Sequence, residues 1–324
     1  DSQSAFIPRR QIGDNILLAQ ELMRDYHKNG GSPRCAAKVD LKKAFDSIRW
    51  EFLFDLLELL NFPQLFIGWI RACITSPFFS LSINGSLEGY FKGSRGLRQG
   101  DPISPYLFVL AMDTLSMIIK QKVQASQSFK YHWRCKETAT TNLCFADDLI
   151  LFCHGDTASA QVLKESLDYF TLFSGLQPND SKSNIFFSGL PLEIQHQIQT
   201  IFNFKVGSLP LRYLGVPLIT TKLKAADCRV LVERITSKIK SWTTRALSYA
   251  GRLQLIQSII FSMQVFWSSY FILPKKVMVQ LEQCMRHFLW SGAYLKSTGA
   301  KVSWDTITHP KIEGGLNIKK VEEW

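Results

Sequence analysis

The stretch that most constrains this chain is LCFADDLILF, Leu143 to Phe152. Two adjacent aspartates interrupt a run otherwise suited to a buried strand. Aspartate is an ordinary turn residue, because it tolerates unusual dihedrals and bonds its own backbone. The pair therefore reads first as the turn of a hairpin with LCF and LILF as its arms. The apolar arms add a requirement. Two carboxylates at the edge of a core are costly unless something compensates their charge.

RCAAKVD reads as a second buried strand, ending at Asp40. Laid beside the first, it brings a third carboxylate to the pair. Three carboxylates in one place repel unless a cation joins them. An oxygen-only ligand set, with no His or Cys, suits Mg²⁺ or Mn²⁺. Two such ions about 3.5–4 Å apart serve an in-line phosphoryl displacement, assisting both the attacking and the leaving oxygen.

The bulk properties agree with a polyanionic substrate. The net charge is +11 over 324 residues, which favours nucleic acid first and an anionic membrane surface second. The seven cysteines and six histidines show no C-x-x-C and no H-x-x-x-H. A disulfide framework and a zinc site are therefore disfavoured, and a reducing compartment, nuclear or cytoplasmic, is expected. No apolar run of about 18 residues appears. The nearest, LIQSIIFSMQVFWSSYFIL, is broken by Gln and Ser and reads as a buried helix. No signal peptide is visible.

Periodicity places the remaining elements. DNILLAQELMRDYH spells a helix after an Asp cap, closed by Gly30, Gly31 and Pro33. SIRWEFLFDLLELLNF spells a strongly periodic helix with Asp46 or Ser47 as its N-cap. PQLFIGWIRACITS follows as a second helix. Asn84-Gly85 between two alternating runs marks a hairpin. GSRGLRQGDPISP is a loop leading into the helix YLFVLAMDTLSMII. SAQVLKESLDYFTLFSG is a helix stopped by Gly175, SNIFFSG a strand, and LRYLGVPL a short strand or hairpin. Beyond about Thr220 only helices are predicted, so a domain boundary is placed near there.

Taken in order, these segments resemble a non-LTR (LINE-type) retrotransposon reverse transcriptase of the plant type. KVDLKKAFDSIRW resembles the family's motif A, GLRQGDPISPYLF its motif B, FADD its motif C, and GLQPNDSKS its motif D. RYLGVPL resembles the primer-grip-like element that follows. QSAFIPRRQIGDNILLAQEL resembles the segment preceding motif A. VSWDTITHPKIEGGLNIKKVEEW resembles the start of the region after the thumb. The resemblance implies an α/β (α+β) polymerase right hand, with an antiparallel palm sheet and packed helices followed by an all-helical thumb. Its expected limits are 1–218 for partial fingers and palm, 219–292 for the thumb, and 293–324 for the start of a C-terminal region. The family's upstream fingers and endonuclease regions are expected outside this stretch.

The resemblance also implies roles. Asp40, Asp147 and Asp148 would bind two Mg²⁺, with Mn²⁺ as an alternative. Adjacent strand residues point to opposite faces, so Asp147 is expected to be the stronger ligand and Asp148 the weaker. Asp46 is expected to cap the helix after it. Phe45 would lie under the incoming sugar and disfavour a 2′-OH, although a core aromatic reads equally well from the residues alone. Arg98, Gln99 and Gly100 would line the nucleotide pocket. Lys182 matches the motif D lysine, a proton donor to pyrophosphate; a solvated surface charge is its plain alternative. The partners implied are an RNA template, a DNA primer and a dNTP, with no membrane.

Lys222, Lys224, Arg229, Arg234, Lys238, Lys240, Arg245 and Arg252, interspersed with Trp242, Tyr249 and Trp267, would track a template–primer backbone. Arg9 stands where the family commonly has Gly, a departure expected to distort that turn. Three rivals share part of this signature: an inactive element remnant that at most binds nucleic acid, an RNA-dependent RNA polymerase, and a group II intron maturase. Phe45 and the RQGDP loop speak against the second, and the absence of an intron-binding pattern against the third.

Overall fold

The computed structural model describes residues 3–28, 30–242, 247–292 and 300–323. The chain divides into two compact units, Asp1–Thr220 and Thr221–Trp324. The first is mixed α/β. Its five-stranded sheet has the order β4-β5-β1-β6-β7, with β1 Arg34–Val39, β4 Asn142–Phe145, β5 Asp148–His154, β6 Asn184–Ser188 and β7 Lys205–Val206. The pairings are antiparallel except β6 with β7.

Strand alternation decides which side chains go where. Cys35, Ala37 and Val39 of β1 join Leu149, Leu151 and Cys153 of β5 in one core. That core is completed by the helices α3 Trp50–Leu59, α5 Ser104–Ala125, α6 Thr157–Ser174 and α7 Leu192–Phe202. Helix α5 supplies Leu107, Phe108, Ala111, Met112, Leu115 and Ile119, a stripe at helical spacing. On the other face, Ala36, Ile150 and Phe152 pack against α1 Ile12–Met23 and Tyr213 and Leu218 of the β8–β9 hairpin, Leu211–Tyr213 and Val216–Leu218. Cover on both faces explains why β5 reads as a continuous apolar run.

Several sequence expectations move. Helix α1 begins at Ile12 rather than after Asp14; Asp14 lies in its first turn and accepts the Gln11 N–H at 2.9 Å. The helix expected from Ser47 is split into a short turn, α2 Ala44–Ser47, and α3 from Trp50. Lys43 enters α2 from the left-handed region, φ 44°, and buried Ile48 is extended with ψ 135°. The N-cap of α3 is Arg49, with no side-chain cap, so neither Asp46 nor Ser47 caps it. Helix α7 occupies a stretch to which the sequence reading assigned no element.

Helix α4 Gln64–Thr75 precedes the hairpin β2 Phe78–Ile83 and β3 Ser86–Lys92, which turns at Asn84-Gly85 with positive φ at both residues. Both strands are exposed throughout. Arg9 adopts φ 67°, the left-handed conformation that glycine takes most readily.

The described residues of the second unit contain helices and no strand. α8 Arg229–Ser241 buries Leu231, Ile235 and Ile239. α9 Tyr249–Leu255 runs through a π-turn, Ile256–Ile260, into α10 Phe261–Ser268. α11 Lys275–Ser291 and the short α12 Trp304–Thr308 follow. Among the described residues no helix is long and apolar enough to cross a membrane.

Candidate active site

β1 and β5 pair with Val39 opposite Leu149. One further step of that register sets Asp40 opposite Asp148. Asp147 lies in the two-residue connection of β4 and β5, where Phe145 pairs with Asp148. The same topology that buries the apolar arms thus gathers the three aspartates at one end of the sheet.

Asp40 is half-buried, and its backbone is fixed from the motif D side. Its N–H donates to Ser183 Oγ at 3.0 Å, and its carbonyl accepts the Asn179 N–H at 2.7 Å. Lys42 N–H donates to the Gln177 carbonyl at 2.8 Å, and Leu41 pairs with Pro178. Asp147 is exposed. Asp148 is half-buried, with a carboxyl pushed above the ordinary carboxylate range. Burial is the largest cause; Lys38 opposes it, and the charges of Asp147 and Asp40 reinforce it. The three carboxylates therefore feel one another, although among the described residues no group of three or more His, Cys, Asp or Glu converges tightly enough to hold a metal ion.

Lys38 explains part of that geometry. Its Nζ lies 3.7 Å from Asp148 Oδ1 and donates to the Arg212 carbonyl at 3.0 Å. It ties Asp148 to the β8–β9 hairpin. The sequence reading missed Lys38. The signal was its place two residues before Asp40, on the face that register turns toward Asp148. Ser183 was missed too, since its hydroxyl acts on a backbone N–H remote in sequence.

Phe45 sits in α2, half-buried, with its ring stacked on Phe108 at 4.6 Å between centroids. Its carbonyl accepts the Leu97 N–H at 2.7 Å, while the Gly96 N–H reaches the Ile48 carbonyl at 2.8 Å. These bonds seat the motif B loop on α2. At Gly96, φ 91°, an added Cβ would lie 2.7 Å from the Asp46 carbonyl oxygen.

The Arg98 guanidinium pairs with Asp101 Oδ2 at 2.7 Å and donates to the Cys73 carbonyl at 3.4 Å. Gln99 and Gly100 are exposed. A cleft of about 770 Å³ opens beside them, with Trp50, Phe79, Phe91, Arg95, Arg98 and Gln99 among its walls. Asp40, Asp147 and Asp148 lie outside those walls. Lys182 is exposed on the turn before Ser183, its N–H bonded to the Asn179 carbonyl at 3.1 Å.

In the second unit, Lys222, Lys224, Arg229, Arg234, Lys238 and Lys240 are exposed. Arg252 instead donates to the Leu289 and Leu247 carbonyls. Trp267 is buried, Trp242 packs on Phe288, and Tyr249 packs on Trp290. Arg245 lies outside the described residues.

Residues 1–218 match the family model described as reverse transcriptase (RNA-dependent DNA polymerase). The chain is 24% identical over 320 residues to the transposon TX1 uncharacterized 149 kDa protein of Xenopus laevis, covering 98% of this chain and 23% of that protein. It is 28% identical over 269 residues to the retrovirus-related Pol polyprotein from type-2 retrotransposable element R2DM of Drosophila melanogaster, covering 80% of this chain and 24% of that protein. This chain thus spans about a quarter of the length of these curated relatives. Among solved structures, a Candida tropicalis telomerase in complex with a fragment of telomeric RNA aligns with a TM-score of 0.46 at 13% identity, covering 91% of this chain and 44% of that one. With residues 1–218 matched by the family model and the relatives named above coming from transposable elements, the chain belongs to the reverse transcriptase family.

Proposed function

We propose that this chain is the polymerising portion of a non-LTR element protein, adding dNTPs to a DNA 3′-OH under the direction of an RNA template. The observation that carries the reading is the meeting of two strand ends: Asp40 closes β1 where Asp148 opens β5, with Asp147 in the turn between β4 and β5. The donor set is carboxylate oxygen throughout, in a place where burial first, and the charges of Asp147 and Asp40 after it, push the Asp148 carboxyl upward against the pull of Lys38. That chemistry fits hard divalent cations, Mg²⁺ or Mn²⁺. Asp40 and Asp147 would be the main ligands; Asp148, held by Lys38, would be the weaker one. When bound, the ions supply charge stabilisation for the attacking and leaving oxygens.

In this reading the primer 3′-OH gives up its proton to solvent, its oxygen bonds to the α-phosphorus, the bond to pyrophosphate breaks, and Lys182 supplies a proton to the departing oxygen. Phe45, braced by Phe108, would close the space a 2′-OH needs. Gln99 and Gly100 would face the nucleotide. Arg98 would meet phosphate by exchanging its Asp101 partner. Residues 1–218 would form partial fingers and palm, 219–292 the thumb, and 293–324 the start of a further region. The exposed basic face of α8 would follow the template–primer backbone, and the protein would work in the nucleus or cytoplasm.

The test is extension of oligo(dT) on poly(rA), with and without Mg²⁺. Metal-dependent growth of the primer supports the reading; no growth under any metal, with a folded chain, favours an inactive remnant.

A further inference from the structure

The aspartate turn is unusual in one respect: Ala146, the first of its two loop residues, has φ 52°. That conformation suits glycine and is disfavoured for an L-residue, so its surroundings must hold it. β4, the strand that leads into it, is four residues long and lies at the sheet edge. The turn is thus held on one side only by a short edge strand.

Gln3 supplies the hold. Gln3 is 1% exposed and forms an isolated parallel bridge with Cys144, extending the edge of the sheet. Its Oε1 accepts three backbone N–H groups: Ser4 at 3.0 Å, Ala5 at 3.0 Å and Ala146 at 3.2 Å. Three donors converging on one atom fix which end of the amide is oxygen. Asn15 of α1, also buried, braces the same strand. Its Nδ2 donates to the Cys144 carbonyl at 2.8 Å, and its Oδ1 accepts the Ser4 hydroxyl at 2.6 Å. Residues 144 and 146 are therefore held by the segment before α1 together with Asn15 of α1, and the next residue is Asp147.

We propose that Gln3 is a positioning residue for the aspartate turn, setting the direction of Asp147 through the Ala146 N–H without touching metal or substrate. The proposal rests on the reading of the aspartates as metal ligands. It identifies the segment before motif A as a structural part of the catalytic centre.

The experiment compares Gln3→Met, which keeps length and volume but removes the acceptor, with Gln3→Glu, which restores it. Ser159→Ala is the control: that buried hydroxyl accepts the Lys130 N–H at 2.8 Å, beyond the far end of β5. Mn²⁺ affinity is read by electron paramagnetic resonance, and amide exchange at Ala146 and Asp147 by NMR. Groups behind metal ligands typically change affinity by roughly 10–100-fold. Gln3→Met should weaken Mn²⁺ binding at least about tenfold and speed exchange at the turn. Gln3→Glu should restore slow exchange at the turn, and Ser159→Ala should leave both Mn²⁺ affinity and exchange unchanged whatever its melting temperature. Parent-like Mn²⁺ affinity in Gln3→Met overturns the proposal, as does equal weakening in Ser159→Ala. A parent chain that binds no Mn²⁺ counts against the metal-site reading instead. Gln3 is then judged on exchange alone, and parent-like exchange in Gln3→Met overturns its role.

Discussion

Replacing Gly96 with alanine tests how the motif B loop is seated. Gly96 has φ 91°, and a methyl group there would stand 2.7 Å from the Asp46 carbonyl oxygen and 2.9 Å from Asp46 Cα, both rigid backbone. Left-handed backbone costs an L-residue about 1–2 kcal/mol. Relieving the contact also moves the loop off α2. That disrupts the Gly96–Ile48 and Leu97–Phe45 backbone bonds and the bond from Trp50 Nε1 to the Gly96 carbonyl at 2.7 Å. At about 1 kcal/mol net each, these bring the total to roughly 4 kcal/mol. Gly100 provides the internal control. It has φ 93° with nothing within 4 Å of an added Cβ, so Gly100→Ala meets only the dihedral cost, about 1–2 kcal/mol. For a unit of this size the melting temperature should fall by roughly 10 °C in Gly96→Ala against roughly 4 °C in Gly100→Ala. Calorimetry on both variants decides the matter. Equal losses would show that the contact with Asp46 does not set the loop.

Three further outcomes follow from the same structure. Burial holds the His132 imidazole down to about 4 from its ordinary 6.5, so its neutral form stabilises the fold fully above pH 6.5 and that contribution, about 3 kcal/mol at most, is lost as pH falls toward 4; His132→Phe, which keeps the ring against Tyr26 and Phe152, should flatten that acid limb in urea titrations. Phe45→Ala should raise the ratio of kcat/KM for rNTP over dNTP in metal-dependent extension, and an unchanged ratio would return the ring to its stack on Phe108 alone. Nucleic-acid affinity should fall steeply and with little sequence preference as salt rises, because each neutralised phosphate releases counterions; a flat dependence would mean that the exposed basic residues of α8 do not meet the backbone.

Short-range signals carried the sequence reading a long way. Asn84-Gly85 marked its hairpin because two consecutive positive φ angles have few other solutions. Asp147-Asp148 marked the neighbourhood of a turn because two apolar arms had to be separated somewhere, and the turn falls one residue earlier, at Ala146-Asp147. The failures have a different origin. SIRWEFLFDLLELLNF has helical periodicity from its first residue, but Ile48 is drawn out of the helix to accept a bond from Gly96, a partner remote in sequence. Asp46 looks like a cap in one dimension, whereas in three its carbonyl backs the motif B loop. Arg252 reads as one of a row of phosphate-seeking charges, yet carbonyls elsewhere in its unit occupy its guanidinium. Lys38 and Gln3 acquire their parts only through register and a bridge to a distant strand. No local pattern announces either one.

The account stands most directly on Asp40 and Asp147 acting as one unit. The decisive measurement is the rate of Mg²⁺-dependent primer extension by Asp40→Asn, Asp147→Asn and the double variant, with the melting temperature of each. Residues that act together are grossly non-additive. Each single variant should therefore lose at least about a thousandfold in rate, and the double variant should be little worse than either. All three should remain folded at or above the parent melting temperature, because like charges have been removed from one another. Extension within a few-fold of the parent in either single variant, or losses that multiply in the double, would contradict it.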